Sequence, residues 1–338
     1  MNNKVIVTGG AGYIGSHTVV SLLEAGFEPI IIDNYANSSA SVVESLREIT
    51  GKNVPVYELD VTDTMALDTV WKKEQPSYVI HFAAYKAVGE SVEKPTEYYR
   101  NNLDGLLSVI ECMKKYGTKN LVFSSSCTVY GEPDECPVTE ASPQKPATSP
   151  YGATKQMCER ILEDTAIADT DMRIIALRYF NPVGAHPSAK IGELPNGTPN
   201  NLVPFLTQAV AGLRGELTVF GNDYDTSDGT CVRDFIHVMD LADAHVASLQ
   251  YLAKTNKSFS ALNIGTGKGN SVMELIEAFQ RATGEKVPFK IGPRRAGDVV
   301  RVWADASLST QALSWRPTRT LEDSMRDAWA WQQSLSNK

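Results

Sequence analysis

The sequence predicts an α/β fold in which a doubly wound parallel sheet is followed by a smaller C-terminal region. Short β-branched apolar runs alternate with amphipathic helical stretches from Lys4 to Tyr179, and the first run leads into Thr8-Gly-Gly-Ala-Gly-Tyr-Ile-Gly15. After Asn181 that alternation gives way to long connections rich in Pro, Gly and Asn. Strands alternating with helices require right-handed crossovers, which set the strands parallel and place helices on both faces. The ligand edge of such a sheet is the one at the carboxyl ends of its strands.

Val5 to Val7 is the first strand, and a helical pattern runs to Ala25, where Gly26 stops it. Strand Pro29 to Asn34, helix Ser41 to Thr50, strand Val54 to Val61, helix Thr64 to Glu74 and strand Tyr78 to Ala83 follow. A long helix is expected from about Pro95 to Tyr116, then strand Asn120 to Ser126, helix Tyr151 to about Ile167 and strand Arg173 to Tyr179. Residues 1–181 therefore read as a Rossmann-type dinucleotide-binding domain, and 182–338 as mainly a substrate-binding region. The cut is not single. Helix Val238 to Leu252 and strand Ala261 to Ile264 can return the chain to the sheet at about 235–265. Two last helices, Ser271 to Thr283 and Leu321 to Ser334, close the chain, with Trp329 and Trp331 read as packing residues.

The glycines at 10, 12 and 15 have dinucleotide spacing, and those at 9, 12 and 15 fit its three-residue variant. Glycines here permit a tight strand-to-helix turn and bring backbone amides up to a pyrophosphate at the helix N-terminus. Asp33 ends the second strand at about the expected interval. Its carboxylate can take both hydroxyls of an adenosine ribose and would repel a 2′-phosphate, for which no neighbouring arginine is provided. The cofactor expected is NAD rather than NADP. Asp60, His81-Phe82-Ala83-Ala84, Ser124-Ser125-Ser126 and Asn181 all fall at strand ends and so on one edge.

In Ser149-Pro-Tyr-Gly-Ala-Thr-Lys155, a helix beginning near Pro150 puts Tyr151 and Lys155 one turn apart on one face. A tyrosine hydroxyl, with a reference pKa of about 10, is a poor base at neutral pH unless a fixed positive charge favours the phenolate. An ammonium one turn away provides that charge. Arg233 next to Asp234 reads, on its own, as a local ion pair, and His186 and His237 as structural residues.

Composition bounds the rest. A formal charge of −8 argues against general nucleic-acid binding, and no apolar run is long enough for a membrane span. The strand-like start at Lys4 leaves no room for a signal peptide, so a cytoplasmic protein is expected. Five scattered cysteines, Cys112, Cys127, Cys136, Cys158 and Cys231, contain no metal-type Cys-x-x-Cys pair, and no metal is expected.

With Gly9 to Gly15, Asp33-Asn34, Ser124 to Ser126 and Tyr151 to Lys155 in hand, the chain resembles the extended short-chain dehydrogenase/reductase family from Lys4 to about Trp331. Four longer strings point to its nucleotide-sugar epimerase branch: His81 to Ser91, Leu177 to His186, Gly221 to Tyr224 with Asp228 to Thr230, and Arg233 to Asp240. The resemblance implies interconversion of UDP-galactose and UDP-glucose through a 4-keto sugar on a tightly held NAD, in a homodimer paired through the helices Pro95 to Tyr116 and Tyr151 to Ile167. It makes Tyr151 the base, Ser126 its hydroxyl partner on the substrate, and Lys155 the group that holds the nicotinamide ribose and depresses the tyrosine pKa. Gly9, Gly12, Tyr13, Ile14, Gly15, Asp33, Asn34, Asp60, Val61, Phe82, Ala83, Lys86, Asn101, Ser124 and Tyr179 would contact NAD, with Tyr151 and Lys155. Asn181, Asn201, Leu202, Phe220, Arg233, Arg295 and Asp298 would hold the uridine diphosphate.

Related dehydratases carry an aspartate and a glutamate where this chain has Cys127 and Thr128, which cannot serve as that acid and base. Val302 stands where the family places a gate beside the sugar, and its small side chain implies room for a 2-acetamido group. UDP-N-acetylglucosamine epimerisation, as a second or even the main activity, is the alternative this raises. A non-catalytic NAD-sensing protein on the same fold is a further one.

Overall fold

The computed structural model describes residues 2–295 and 297–336. In chain order the first elements are β1 (Lys4–Thr8), α1 (Tyr13–Glu24), β2 (Glu28–Asp33), α2 (Ser41–Thr50), β3 (Val56–Glu58), α3 (Thr64–Glu74) and β4 (Tyr78–His81). Next come α4 (Val88–Glu93), α5 (Pro95–Tyr99), α6 (Gly105–Tyr116), β5 (Asn120–Ser126), α7 (Pro150–Ala168), β6 (Arg173–Tyr179) and β7 (Asn181–Val183). The remainder comprises α8 (Leu202–Val210), β8 (Leu217–Phe220), β9 (Val232–Arg233), β10 (Phe235–His237), α9 (Val238–Leu252), β11 (Phe259–Ile264), β12 (Asn270–Ser271), α10 (Val272–Thr283), β13 (Phe289–Gly292), β14 (Arg301–Val302), α11 (Ser307–Leu313) and α12 (Leu321–Ser336).

Seven strands form one sheet in the order β11-β6-β5-β4-β1-β2-β3, and every pair in it is parallel. The chain winds outward from β1 through β2 and β3, then returns to β4 on β1's other side, so the switch point lies between β1 and β4. Each central strand is buried on both faces, which is why it reads as a continuous apolar run. Val5, Val7 and Ile31 point into the core under α1, α2 and α9. Ile6, Ile30 and Ile32 point the other way, into the core with Leu67, Val109 and Leu162 of α3, α6 and α7. A third core, with Leu206, Phe279 and Met325, joins α8, α10 and α12.

Two expected elements differ. The long helix is broken by a five-residue π-helical segment, Arg100–Asp104, between α5 and α6, and the short α4 precedes it. The third strand is shorter than Val54 to Val61 because β2 pairs with it only at Ile31–Val56, Ile32–Tyr57 and Asp33–Glu58.

Candidate active site

The turn after β1 is shaped for close approach. Gly9 has φ +69°, and a Cβ there would lie 2.9 Å from the Ala83 backbone nitrogen. A Cβ on Gly15 would lie 2.2 Å from the Gly9 carbonyl oxygen, so only glycine lets α1 begin this near to β1. Gly12 caps α1 and has no side chain to offer, so the first-turn amides of Tyr13, Ile14 and Gly15 are left for an anion. That cradle fits a dinucleotide pyrophosphate. The Tyr13 hydroxyl donates to the Gly184 carbonyl at 2.7 Å, while Ile14 packs on the core below.

Asp33 is buried and fixes the turn. One carboxylate oxygen accepts from the Ala11 amide at 2.9 Å, and the other from the Tyr35 amide and the Ser38 hydroxyl at 2.9 and 2.8 Å. Asn34 donates to Asp60 at 2.8 Å, bringing three polar residues from the ends of β2 and the β3 connection together. Val61 is buried against Gly105, where a Cβ would meet it at 2.9 Å.

Across the switch point, Phe82 follows β4 and packs tilted against His245, with ring centroids 4.7 Å apart and the planes at 53°. Lys86 pairs with Glu193 at 3.3 Å, and Glu193 also accepts from Asn201 at 2.6 Å. Asn101 lies in the π-helical segment and donates to Asn102 at 2.9 Å. Buried Asn102 in turn accepts from the Tyr85 amide at 2.8 Å and donates to Thr154 on α7 at 3.0 Å. This one side chain ties the loop after β4 to the helix that bears Tyr151.

Helix α7 starts where the sequence places it, with Ser149 as N-cap to the Gly152 amide and Pro150 in the first turn. Tyr151 and Lys155 share a face, and the ammonium stands 5.8 Å from the Tyr151 ring centroid. Lys155 donates to the Ser124 carbonyl at 2.5 Å and lies 4.8 Å from the Phe123 ring centroid. Ser126, the last residue of β5, accepts from the Thr128 amide at 3.2 Å and opens a 3-10 turn. Tyr179, opposite Ser126 in the sheet, donates its hydroxyl to Ser124.

Burial is the largest influence on the titration of both Tyr151 and Lys155. Burial pushes the Tyr151 phenol up to about 12, and the neighbouring Ser126 side chain is the main opposing influence. Burial also brings Lys155 down to about 8, partly offset by Cys158 and Glu159. The physical reason is common to both. A low-dielectric site disfavours whichever form is charged, the phenolate of Tyr151 and the ammonium of Lys155 alike.

The residues expected around a diphosphate come from the C-terminal half. Arg233 and Arg295 converge on Asp298, at 3.8 and 2.7 Å. The local Arg233–Asp234 pair does not form. Asp234 is instead taken by the amides of Thr266, Gly267 and Ala304 and by the Thr266 hydroxyl. Arg295 lies 5.6 Å from the centroid of the exposed Phe220 ring. Asn181 begins β7, its amide bonded to the Asp234 carbonyl at 3.0 Å. Asn201 is the N-cap of α8 but leaves the helix uncapped because Glu193 holds its amide group; Leu202 packs on the third core. Val302 is 6% exposed and packs with Val129, Tyr130, Val138, Phe180 and Ala304.

Asn102, Glu159, Glu193 and His245 were not singled out from the sequence. His245 is fully buried, its Nδ1 donating to the Leu241 carbonyl at 2.8 Å. It packs against both Phe82 and Tyr179. Burial holds it down to about 4, as a neutral ring, so it supports the crevice as an aromatic spacer. A lone histidine on an amphipathic helix gives no signal for such a role. His237 bonds Asp327 at 3.1 Å, Trp329 packs on Phe279, and Trp331 donates to the Glu193 carbonyl at 3.1 Å. All five cysteines are free; among the described residues no cluster could hold a metal ion and no helix is long and apolar enough to cross a membrane.

A dinucleotide crevice at the switch point, with a tyrosine, a lysine and a serine between it and an arginine-bearing region, defines the class as a nucleotide-cofactor enzyme acting on an anionic substrate. Residues 5–265 match the model of the NAD dependent epimerase/dehydratase family, and the chain belongs to that family. It is 50% identical over 333 residues to a UDP-glucose 4-epimerase of Bacillus subtilis, covering 98% of each chain. The fold superposes on a UDP-glucose 4-epimerase of Stenotrophomonas maltophila with bound NAD and formylated UDP-arabinopyranose at TM-score 0.96, with 48% identity and 99% of both chains covered. A Bifidobacterium longum UDP-glucose 4-epimerase in complex with NAD+ and UDP gives TM-score 0.95 and 46% identity, again over 99% of both chains.

Proposed function

We propose that this protein interconverts UDP-galactose and UDP-glucose by oxidising the sugar at C4 and re-reducing it on the opposite face. The observation that carries this is the convergence of Tyr151, Ser126 and Lys155 on one strand edge, between a dinucleotide cradle and the arginine pair at Asp298. Gly9, Gly12, Gly15 and the α1 amides would hold the NAD pyrophosphate, with Asp33, Asn34 and Asp60 at the adenosine end and Lys155 and Tyr179 at the nicotinamide end. Bound NAD supplies a hydride acceptor that can return the hydride, and a positive charge that favours the Tyr151 phenolate.

Tyr151 takes the proton from the C4 hydroxyl as that carbon gives up its hydride, and the keto sugar forms. Ser126 donates to the developing carbonyl oxygen. Arg233, Arg295 and Asn181 anchor the diphosphate while the sugar turns its other face, since forked guanidinium donors suit phosphate oxygens. Once C4 regains hydride, Tyr151 returns the proton to the same oxygen. No net redox occurs, so cofactor exchange is not needed. Dehydration is disfavoured because burial pushes the Cys127 thiol up to about 11 and Thr128 has no acidic group.

The small Val302 supports a second activity on UDP-N-acetylglucosamine and UDP-N-acetylgalactosamine. Steady-state assays on both substrate pairs decide it: an N-acetyl efficiency more than about a thousandfold lower, roughly 4 kcal/mol of transition-state discrimination, contradicts it. Val302→Tyr is expected to suppress the N-acetyl reaction selectively.

A homodimer paired through α6 and α7 is supported by the exposed Leu107 on α6 and Met157 on α7. Light scattering is expected to give twice the chain mass; a monomer at micromolar concentration contradicts the pairing.

A further inference from the structure

Behind the Ser124–Ser126 edge lies a buried polar cluster that the reaction described above does not use. Glu159, one turn beyond Lys155 on α7, forms a forked pair with Arg178 of β6, at 2.9 and 3.2 Å from Nε and 2.6 Å from Nη2. Both side chains are under 10% exposed, at 6% and 7%. The carboxylate also accepts from the Ser125 hydroxyl at 2.5 Å and from Gln144 at 3.0 Å. Arg178 reaches onward to the Tyr130 hydroxyl at 3.1 Å, which donates to Asn263 of β11 at 2.6 Å.

A buried ion pair is weak evidence for stability, because its desolvation offsets much of its attraction. Its placement here suggests another use. Successive strand residues face opposite sides, so Ser125 turns toward Glu159 while Ser124 and Ser126 serve the site, and Glu159 grips the strand from behind. The same carboxylate stands one turn from a desolvated ammonium. We propose that Glu159 is a positioning residue for Lys155 and Ser126, holding the ammonium in its working state through the fixed negative charge that Arg178, Ser125 and Gln144 orient. This rests on the reading of Lys155 as the charge beside the catalytic tyrosine.

The groups that face Lys155 define what a pH measurement reads. Tyr151, Cys158 and Glu159 lie on its own helix, His81 comes from β4, and β5 presents the Ser124 carbonyl and the Phe123 ring. His81 is held neutral, down to about 3, by burial and by Lys155 itself. Of the ionisable groups, Glu159 and Cys158 favour the ammonium, and burial pushes the Cys158 thiol up to about 11, which leaves Glu159 as the standing negative charge.

The test is the pH profile of kcat and kcat/KM for UDP-galactose on NAD-loaded protein, in wild type, Glu159→Gln and Glu159→Gln/Arg178→Met. The double variant leaves no unpaired buried charge and keeps the test available where the single one fails to fold. In both, the alkaline limb is expected to move to lower pH by about 0.5–1 unit, with KM held within about twofold. A limb that coincides with wild type in a folded, NAD-loaded variant overturns the inference, even where thermal stability falls. Lys155→Met, run alongside, separates the two readings. Wild-type turnover in it removes the role of Lys155 altogether, whereas an inactive Lys155→Met with an unmoved Glu159→Gln limb removes only the role given to Glu159.

Discussion

Replacing Tyr151 by Phe is expected to lower kcat for UDP-galactose epimerisation by about 100-fold or more, the usual contribution of a general base. NAD content and UDP affinity should stay close to wild type, because the aromatic ring remains and the other residues that would hold both ligands are untouched. The structure sharpens the reason. Burial keeps the phenol protonated well above neutral pH, and Ser126 is the main protein group that favours the phenolate. Base strength must therefore be assembled when substrate and cofactor are in place. Ser126→Ala should then also lower kcat more than it raises KM; a KM effect alone would make Ser126 a binding residue only. Near-normal turnover in Tyr151→Phe would remove the tyrosine from the mechanism.

Gly15→Ala is expected to yield protein that has lost most of its NAD. The added Cβ would sit 2.2 Å from the Gly9 carbonyl and 2.8 Å from the Gly10 Cα, both backbone, so α1 or the turn has to shift. Overpacking of this kind costs about 1–3 kcal/mol, and at about 1.4 kcal/mol per tenfold a cradle displaced by that much loses about five- to 150-fold in cofactor affinity. Denaturing the purified variant and measuring the nucleotide released checks this. Gly26→Ala is the control, since no atom lies within 4 Å of its Cβ and only its φ of +82° is strained. It should lose stability and keep NAD; equal NAD content in Gly15→Ala and wild type would mean that the turn does not hold the pyrophosphate.

The sheet was legible because its strands are buried on both faces. Val5-Ile-Val7 and Ile30-Ile-Ile32 carry no alternation to confuse them with surface strands, and Gly26 and the Gly9–Gly15 turn mark where the chain reverses. The π-helical break at Arg100–Asp104 was not legible. Its Arg-Asn-Asn-Leu-Asp sequence sits within an ordinary helical pattern, and it is Asn102 reaching Tyr85 and Thr154 that accompanies the change of pitch. Such a contact depends on two distant segments meeting. Site residues divide the same way. The Tyr151–Lys155 pair is local, one turn of one helix, and the structure brings Ser126 beside it. The partners come from other elements, Thr266 for Asp234 at 32 residues, Arg178 for Glu159 at 19 and Lys86 for Glu193 at 107, so adjacency in sequence misdirected the reading of Arg233. Burial could not be read from spacing either, and burial decides the electrostatics of Tyr151 and Lys155.

In the proposed reaction C4 is oxidised and re-reduced within one site on a cofactor that never leaves. Proton NMR of UDP-galactose incubated in D2O with purified protein and no added NAD tests it most directly. The expected product is UDP-glucose carrying protium at C4, because the hydrogen that leaves the carbon as hydride returns to it. Deuterium at C4, or no UDP-glucose from protein that releases NAD on denaturation, would contradict it.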